Sequence, residues 1–280
     1  MSDSLIVSVI AAEGVTRIAD VVRKITRDFK SSGTVGAPIW LSPDRACDIP
    51  VSFASPELIE ILPHGFVHAG EGVDVNVLSP ANRRKKLLVA DMDSTIIGCE
   101  CLDELADMAH LKPQIAAITE QARNGEIAFE PALRERVTLL KGLALTALER
   151  TYKERVKLNP GAKALVATMK KHGARTCLVS GGFTYFTQRV AKDAGFDDNQ
   201  ANTLLDDGSR LTGEVKEPIL GREAKLSALK AEIDKLKITP EESLAVGDGA
   251  NVLSRSQYAG LGVAYRAKPI VAEAAGAAIK

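Results

Sequence analysis

Leu87-Leu88-Val89-Ala90-Asp91-Met92-Asp93-Ser94-Thr95 is the stretch on which the fold turns. Four consecutive apolar residues, entered from the basic run Arg83-Arg84-Lys85-Lys86, predict a short buried strand with a solvated entry. The two carboxylates that follow stand two residues apart at the strand's carboxyl end, so they point the same way and repel each other. A cation between them relieves that repulsion, and magnesium suits the place because it takes oxygen ligands and accompanies phosphate. A carboxylate beside magnesium can also attack phosphorus and form an aspartyl-phosphate. Taken alone, the pattern is equally an acidic turn after a strand.

Two more strands place chemistry at the same kind of end. Thr176-Cys177-Leu178-Val179 runs into Ser180-Gly181-Gly182, and Ser243-Leu244-Ala245-Val246 runs into Gly247-Asp248-Gly249-Ala250-Asn251. Lys225 lies between them in a helical stretch, Gly221 to Lys235. Each piece alone is a common turn or a surface charge. In this order, each after a strand, they predict an α/β protein with its site at the carboxyl edge of a parallel sheet.

With these residues in place the chain resembles the haloacid dehalogenase-type phosphatases, and within them the phosphoserine phosphatase family. Asp91-Met92-Asp93-Ser94-Thr95, Val179-Ser180-Gly181-Gly182-Phe183, Lys225 in its Gly-Arg-Glu-Ala-Lys context, and Val246 to Asn251 match the four motifs. The similarity spans roughly Lys85 to Ala274. It includes Asn124-Gly125-Glu126-Ile127-Ala128-Phe129 and Leu133-Arg134-Glu135-Arg136-Val137, which are more specific to the subfamily. The resemblance implies a Rossmann-like core with a parallel sheet and a helical cap after the first strand. It also implies magnesium-dependent hydrolysis of O-phospho-L-serine through an aspartyl-phosphate.

The roles it implies are specific. Asp91 is the nucleophile, and Asp93 is the general acid and then the general base. Magnesium is held by Asp91, the main-chain carbonyl of Asp93, and Asp248. Ser180, the Gly181 amide and Lys225 bind the phosphoryl oxygens, supported by Asn251. Glu100 faces the substrate ammonium, Arg136 its carboxylate, and Phe129 covers it.

Two departures from the family pattern bear on performance. Val252 stands where an aspartate usually follows the fourth motif, a loss expected to weaken metal affinity or activity by about 10–100-fold. The chain also ends soon after Lys268-Pro269, where relatives continue through another strand and helix, so an uncovered sheet edge is expected. Another small phosphomonoester such as phosphohomoserine, and a catalytically impaired amino-acid-binding protein, are the alternatives.

The rest of the chain frames this picture. The 280 residues suffice for one large domain and one small one. Thirty-six basic and 36 acidic residues cancel, which argues against nucleic-acid binding. No apolar run reaches the roughly 18 residues of a membrane span, and no secretory signal opens the chain. Cys47, Cys99, Cys101 and Cys177 are sparse, as expected for free thiols in the cytoplasm. Cys99-Glu100-Cys101 lacks the second ligand pair of a zinc site.

Residues 1–80 predict a separate module. Strands over Leu5 to Ile10, Ala37 to Leu41, Ile49 to Phe53 and Val73 to Val77 alternate with helices over Val15 to Phe29 and from Ser55-Pro56. That order suits an α+β ferredoxin-like, degenerate ACT-like domain, serving dimerisation or amino-acid sensing. Pro50 should push its strand to an edge. Residues 83–280 form the phosphatase domain, with the cap at about residues 99–156 acting as a lid. Leu204 to Val215 reads as a hairpin around Asp207-Gly208.

Overall fold

A computed structural model describes residues 4–12, 14–15, 18–30, 33–53, 65–68, 72–123, 126–249 and 258–279. Two compact units emerge, one of Met1–Lys85 with Pro240–Lys280, the other of Lys86–Thr239.

The first unit contains an antiparallel sheet. Its strands are β1 (Ser4–Ala11), β2 (Gly33–Val35), β3 (Ile39–Ser42), β4 (Ala46–Phe53), β5 (Gly65–His68) and β6 (Val73–Leu78). β1 lies centrally between β4 and β6; β2 and β3 both pair with β4, and β5 with β6. Leu5, Val7, Val9 and Ala11 alternate onto one face and bury against Ile18 and Val22 of helix α1 (Ile18–Lys30). The helix predicted from Ser55-Pro56 lies outside the described residues.

Pro50 does not make β4 an edge strand, which corrects the expectation. It pairs with Ile6 in the interior of the sheet. Its carbonyl accepts from Gly36 N at 2.8 Å. A strand residue's N and carbonyl face the same side, so the missing N–H falls at the break between β2 and β3, where no ladder partner is needed. The basic run is not simply solvated either: Arg83 donates to both carboxylate oxygens of Asp48, at 2.5 and 2.7 Å.

The same unit holds a parallel set: β12 (Ser243–Gly247), β13 (Leu261–Tyr265) and β14 (Ala277–Ile279). β14 lies in the alanine-rich tail, so the uncovered edge expected beside β13 is filled. Three residues suffice, because parallel pairing with β13 is reinforced from the side. The Asn76 amide exchanges both hydrogen bonds with the Ala278 backbone, at 2.8 and 3.2 Å.

The second unit has the α/β core with a helical insert. β7 (Leu87–Ala90), β8 (Arg175–Phe183) and β9 (Asp198–Asn202) run parallel. Among the described residues, four insert helices and one core helix lie between β7 and β8. These are α2 (Cys101–Met108), α3 (Lys112–Arg123), α4 (Phe129–Thr138), α5 (Leu145–Arg155) and α6 (Ala162–Lys171). α7 (Thr184–Ala194), the hairpin β10 (Leu204–Asp206) and β11 (Leu211–Val215), and α8 (Arg222–Leu236) complete it. Ile97 bridges Leu158 where the insert leaves and rejoins the core, and Asn159 Nδ2 donates to the carbonyls of Thr95 and Ile97. β9 escaped the sequence reading because Asp-Asn-Gln-Ala-Asn carries no apolar pattern. A short helix, α9 (Pro269–Ala274), belongs to the first unit and buries Val271 and Ala272.

Candidate active site

β7 is fully buried, so its backbone is rigid where it delivers Asp91. Past Asp91 the chain makes one irregular turn over Met92–Ile96, and Ser94 takes a positive φ of 54°. That turn brings Asp93 back beside Asp91. Asp91 Oδ1 accepts from Met92 N at 2.9 Å, and Oδ2 accepts an ion-pair hydrogen bond from Lys225 Nζ. Asp91 and Lys225 are only 4% and 7% exposed, so this charge pair is withdrawn from water.

Asp93 is held from two sides. Its Oδ1 accepts from Cys101 N at 2.9 Å, and its Oδ2 from Ser180 Oγ at 3.1 Å. Burial pushes its carboxyl above the ordinary range; the Cys101 N–H opposes this, and the neighbouring Asp91 charge adds to it. Ser180 Oγ also accepts from Gly182 N at 2.8 Å, which curls the end of β8 towards the carboxylates. No side chain fits at Gly182 without pressure: a Cβ there would lie 3.1 Å from both Asp93 Oδ2 and Ser180 Oγ.

The insert reaches this floor through Phe129, the first residue of α4. A Cβ on Gly181 would meet its Cζ at 3.3 Å, and one on Gly221 its Cδ1 at 3.6 Å. The ring therefore lies over two glycine backbones while 38% exposed. Arg136, seven residues on, shares that helix face. Its Nε donates to the Ala132 carbonyl at 3.0 Å and a terminal nitrogen contacts Thr119 Oγ1 at 3.4 Å. An ion pair from Arg134 to Glu217 ties the same helix to the core. Glu100, at the start of α2, accepts from Ser94 Oγ at 2.7 Å.

Asp91, Asp93, Ser180, Gly181, Lys225, Glu100, Phe129 and Arg136 thus belong to one unit. Asp248 follows β12 in the other. Asn251 and Val252, with Asn124 and Gly125, lie outside the described residues. Sequence reasoning missed the Cys101 amide as a donor to Asp93, and it missed Asn202. Neither carries a motif signal, since one acts through its backbone and the other sits in a polar strand.

Among the described residues no three His, Cys, Asp or Glu side chains gather to hold a metal ion. The donor chemistry at the end of β7 nonetheless suits magnesium. Asp91 and Asp93 offer hard oxygens, with no histidine or thiolate arrangement of the kind zinc selects. The four cysteines are free. Among the described residues no helix is long and apolar enough to cross a membrane.

Comparison with known proteins agrees with this layout. Residues 88–251 match the haloacid dehalogenase-like hydrolase family. A phosphoserine phosphatase from Polaromonas sp. is 45% identical over 215 residues, covering 74% of this chain and 91% of that protein. One from Archaeoglobus fulgidus is 43% identical over 211 residues, covering 74% of this chain and 61% of its own length. The crystal structure of a HAD family hydrolase from Salmonella enterica superposes with a TM-score of 0.82 at 28% identity. It covers 99% of this chain and 94% of its own.

Proposed function

The chain belongs to the haloacid dehalogenase-like hydrolase family, and from that premise we propose that it hydrolyses O-phospho-L-serine to L-serine and phosphate. The observation that carries this is the pair of carboxylates after β7, with Asp91 buried against Lys225 and Asp93 held by Ser180 and Cys101.

Asp91 attacks phosphorus in line, and the bond to the serine oxygen breaks as the bond to Asp91 forms. Asp93 gives its proton to the departing oxygen; its raised carboxyl pKa keeps a proton available for that step. The same carboxylate then takes a proton from water, which attacks the aspartyl-phosphate and restores Asp91. Lys225, the Ser180 hydroxyl and the Gly181 N–H stabilise the phosphoryl oxygens in each half-reaction, with Asn251 supporting them. Magnesium would be held by Asp91, the Asp93 carbonyl and Asp248, and when bound would supply positive charge against the phosphoryl oxygens.

Substrate choice lies in the insert. Glu100 takes the ammonium group, Arg136 the carboxylate, and Phe129 excludes water over the glycine floor. Residues 83–280 form the phosphatase domain with its cap at about 99–156, and residues 1–80 form a small ferredoxin-like, ACT-like domain suited to homodimerisation. Four free thiols suit a reducing cytoplasm.

The test is phosphate release from L-phosphoserine across a magnesium titration, with Asp91→Asn as the blank. Turnover that requires Asp91 and magnesium is expected, with saturation at high magnesium because Val252 replaces an acid. Folded protein that releases no phosphate at any magnesium concentration overturns the proposal. Turnover of phosphohomoserine alone redirects it.

A further inference from the structure

Asn202 closes β9 and is 2% exposed, although it touches none of the reacting groups. Its side chain spends all of its hydrogen bonds on two backbone segments. Nδ2 donates to the Gly181 carbonyl at 2.9 Å and to the Leu220 carbonyl at 3.2 Å, while Oδ1 accepts from Leu220 N at 2.7 Å. The amide's orientation follows from these partners, since carbonyls only accept and an N–H only donates.

The two segments matter because of what they carry. Gly181 follows Ser180, whose hydroxyl contacts Asp93. Leu220 precedes Gly221 and α8, which delivers Lys225 to Asp91. Both glycines also lie beneath Phe129. One planar amide therefore spans from the Ser180-Gly181 backbone to the start of the helix that holds the cation. We propose that Asn202 is a positioning residue for phosphoryl transfer, setting the separation between the Gly181 backbone and Lys225. It touches no reacting atom.

The residue type suits that task narrowly. Two carbonyls need donors and one N–H needs an acceptor, all in one plane, which a primary amide supplies. An aspartate of the same shape offers only acceptors to the two carbonyls. An alanine removes all three of these hydrogen bonds.

This inference rests on the phosphatase proposal, so its test has a readout besides turnover. Asn202→Ala and Asn202→Asp are compared, as full chains with magnesium, with Thr187→Ala. Thr187 is fully buried and donates to Asn199 on the same strand at 2.9 Å, so its loss reports ordinary destabilisation of β9. Melting temperature, kcat and KM for L-phosphoserine, and orthovanadate affinity by calorimetry are measured.

Misplacement of this kind is expected to lower kcat by about 10–100-fold in both Asn202 variants, with KM within about threefold. Orthovanadate binding should weaken about tenfold in parallel, because it samples the geometry of transfer. Thr187→Ala should keep kcat within about twofold of the parent at a comparable melting temperature. Equal loss of kcat in Thr187→Ala overturns the inference, as does a folded Asn202 variant with parental kcat. If Asn202→Ala fails to fold, Asn202→Asp, which keeps shape and acceptor, decides. If the parent does not turn over phosphoserine, the substrate proposal fails, and orthovanadate decides separately: unchanged affinity in the Asn202 variants overturns positioning, and weakened affinity supports it. A parent that does not bind orthovanadate overturns both.

Discussion

Removing Lys225 isolates the energetics of the buried charge pair. Asp91 and Lys225 are 4% and 7% exposed, and the Lys225 ammonium bonds directly to Asp91 Oδ2. Lys225→Met keeps the stem's bulk and deletes the charge, leaving a buried carboxylate without its ammonium partner. Breaking one side of such a pair costs about 3–5 kcal/mol. At roughly 2–4 °C per kcal/mol for chains a little shorter than this one, that lowers the melting temperature by on the order of 6–20 °C, towards the lower end for this length. The double variant Asp91→Asn/Lys225→Met removes both charges, so it should recover at least about half of that loss. The assay is urea unfolding in chelator-treated buffer, where no added cation substitutes for the ammonium. Additive effects across the four proteins, or Lys225→Met within about 0.5 kcal/mol of the parent, would refute the claim that the two buried charges are coupled. In turnover assays with magnesium restored, loss of the same cation should lower kcat by about 10²–10³-fold.

Three further outcomes follow from the geometry. Gly182→Ala places a methyl 3.1 Å from Asp93 Oδ2 and from Ser180 Oγ, so kcat should fall about 10–100-fold in steady-state assays while circular dichroism stays parental. Phe129→Ala uncovers the floor at Gly181 and Gly221, and kcat/KM should drop about tenfold with little change in melting temperature, since the ring is already 38% exposed. Asp197 is a pH-linked stabiliser: burial works to raise its carboxyl pKa, but the Lys170 ion pair at 2.7 Å and the Thr176 N–H at 2.9 Å outweigh it and hold the value below the ordinary range. A depressed folded-state pKa contributes stability that is complete above the unfolded value and fades as pH falls through the folded one. Asp197→Asn should therefore cost about 1 kcal/mol at pH 7 and progressively less below about pH 4, measured by urea unfolding at each pH. A constant gap across that range would contradict the linkage.

Local pattern encodes what a few neighbouring residues can fix. Leu87 to Ala90 is apolar without interruption because both faces of that strand are covered, and Asp91 and Asp93 follow at a spacing that shows which end bears the chemistry. The helical insert and the Asp207-Gly208 hairpin were legible for the same reason, since periodicity and turn chemistry act over a few residues. Tertiary structure alone decided the partnerships. The motif around Lys225 announced a place at the phosphoryl site, but not its direct bond to Asp91 across 134 residues. β9 is a strand without an apolar signature, held in place by its ladder to β8. Asn202 gains its meaning only when that ladder brings it between Gly181 and Leu220. Pro50 sits inside a sheet because the strand opposite is broken at the place where its N–H is missing. Burial leaves a periodic trace in the chain, whereas the partner of a buried polar group depends on which distant backbone the packing brings within hydrogen-bond reach.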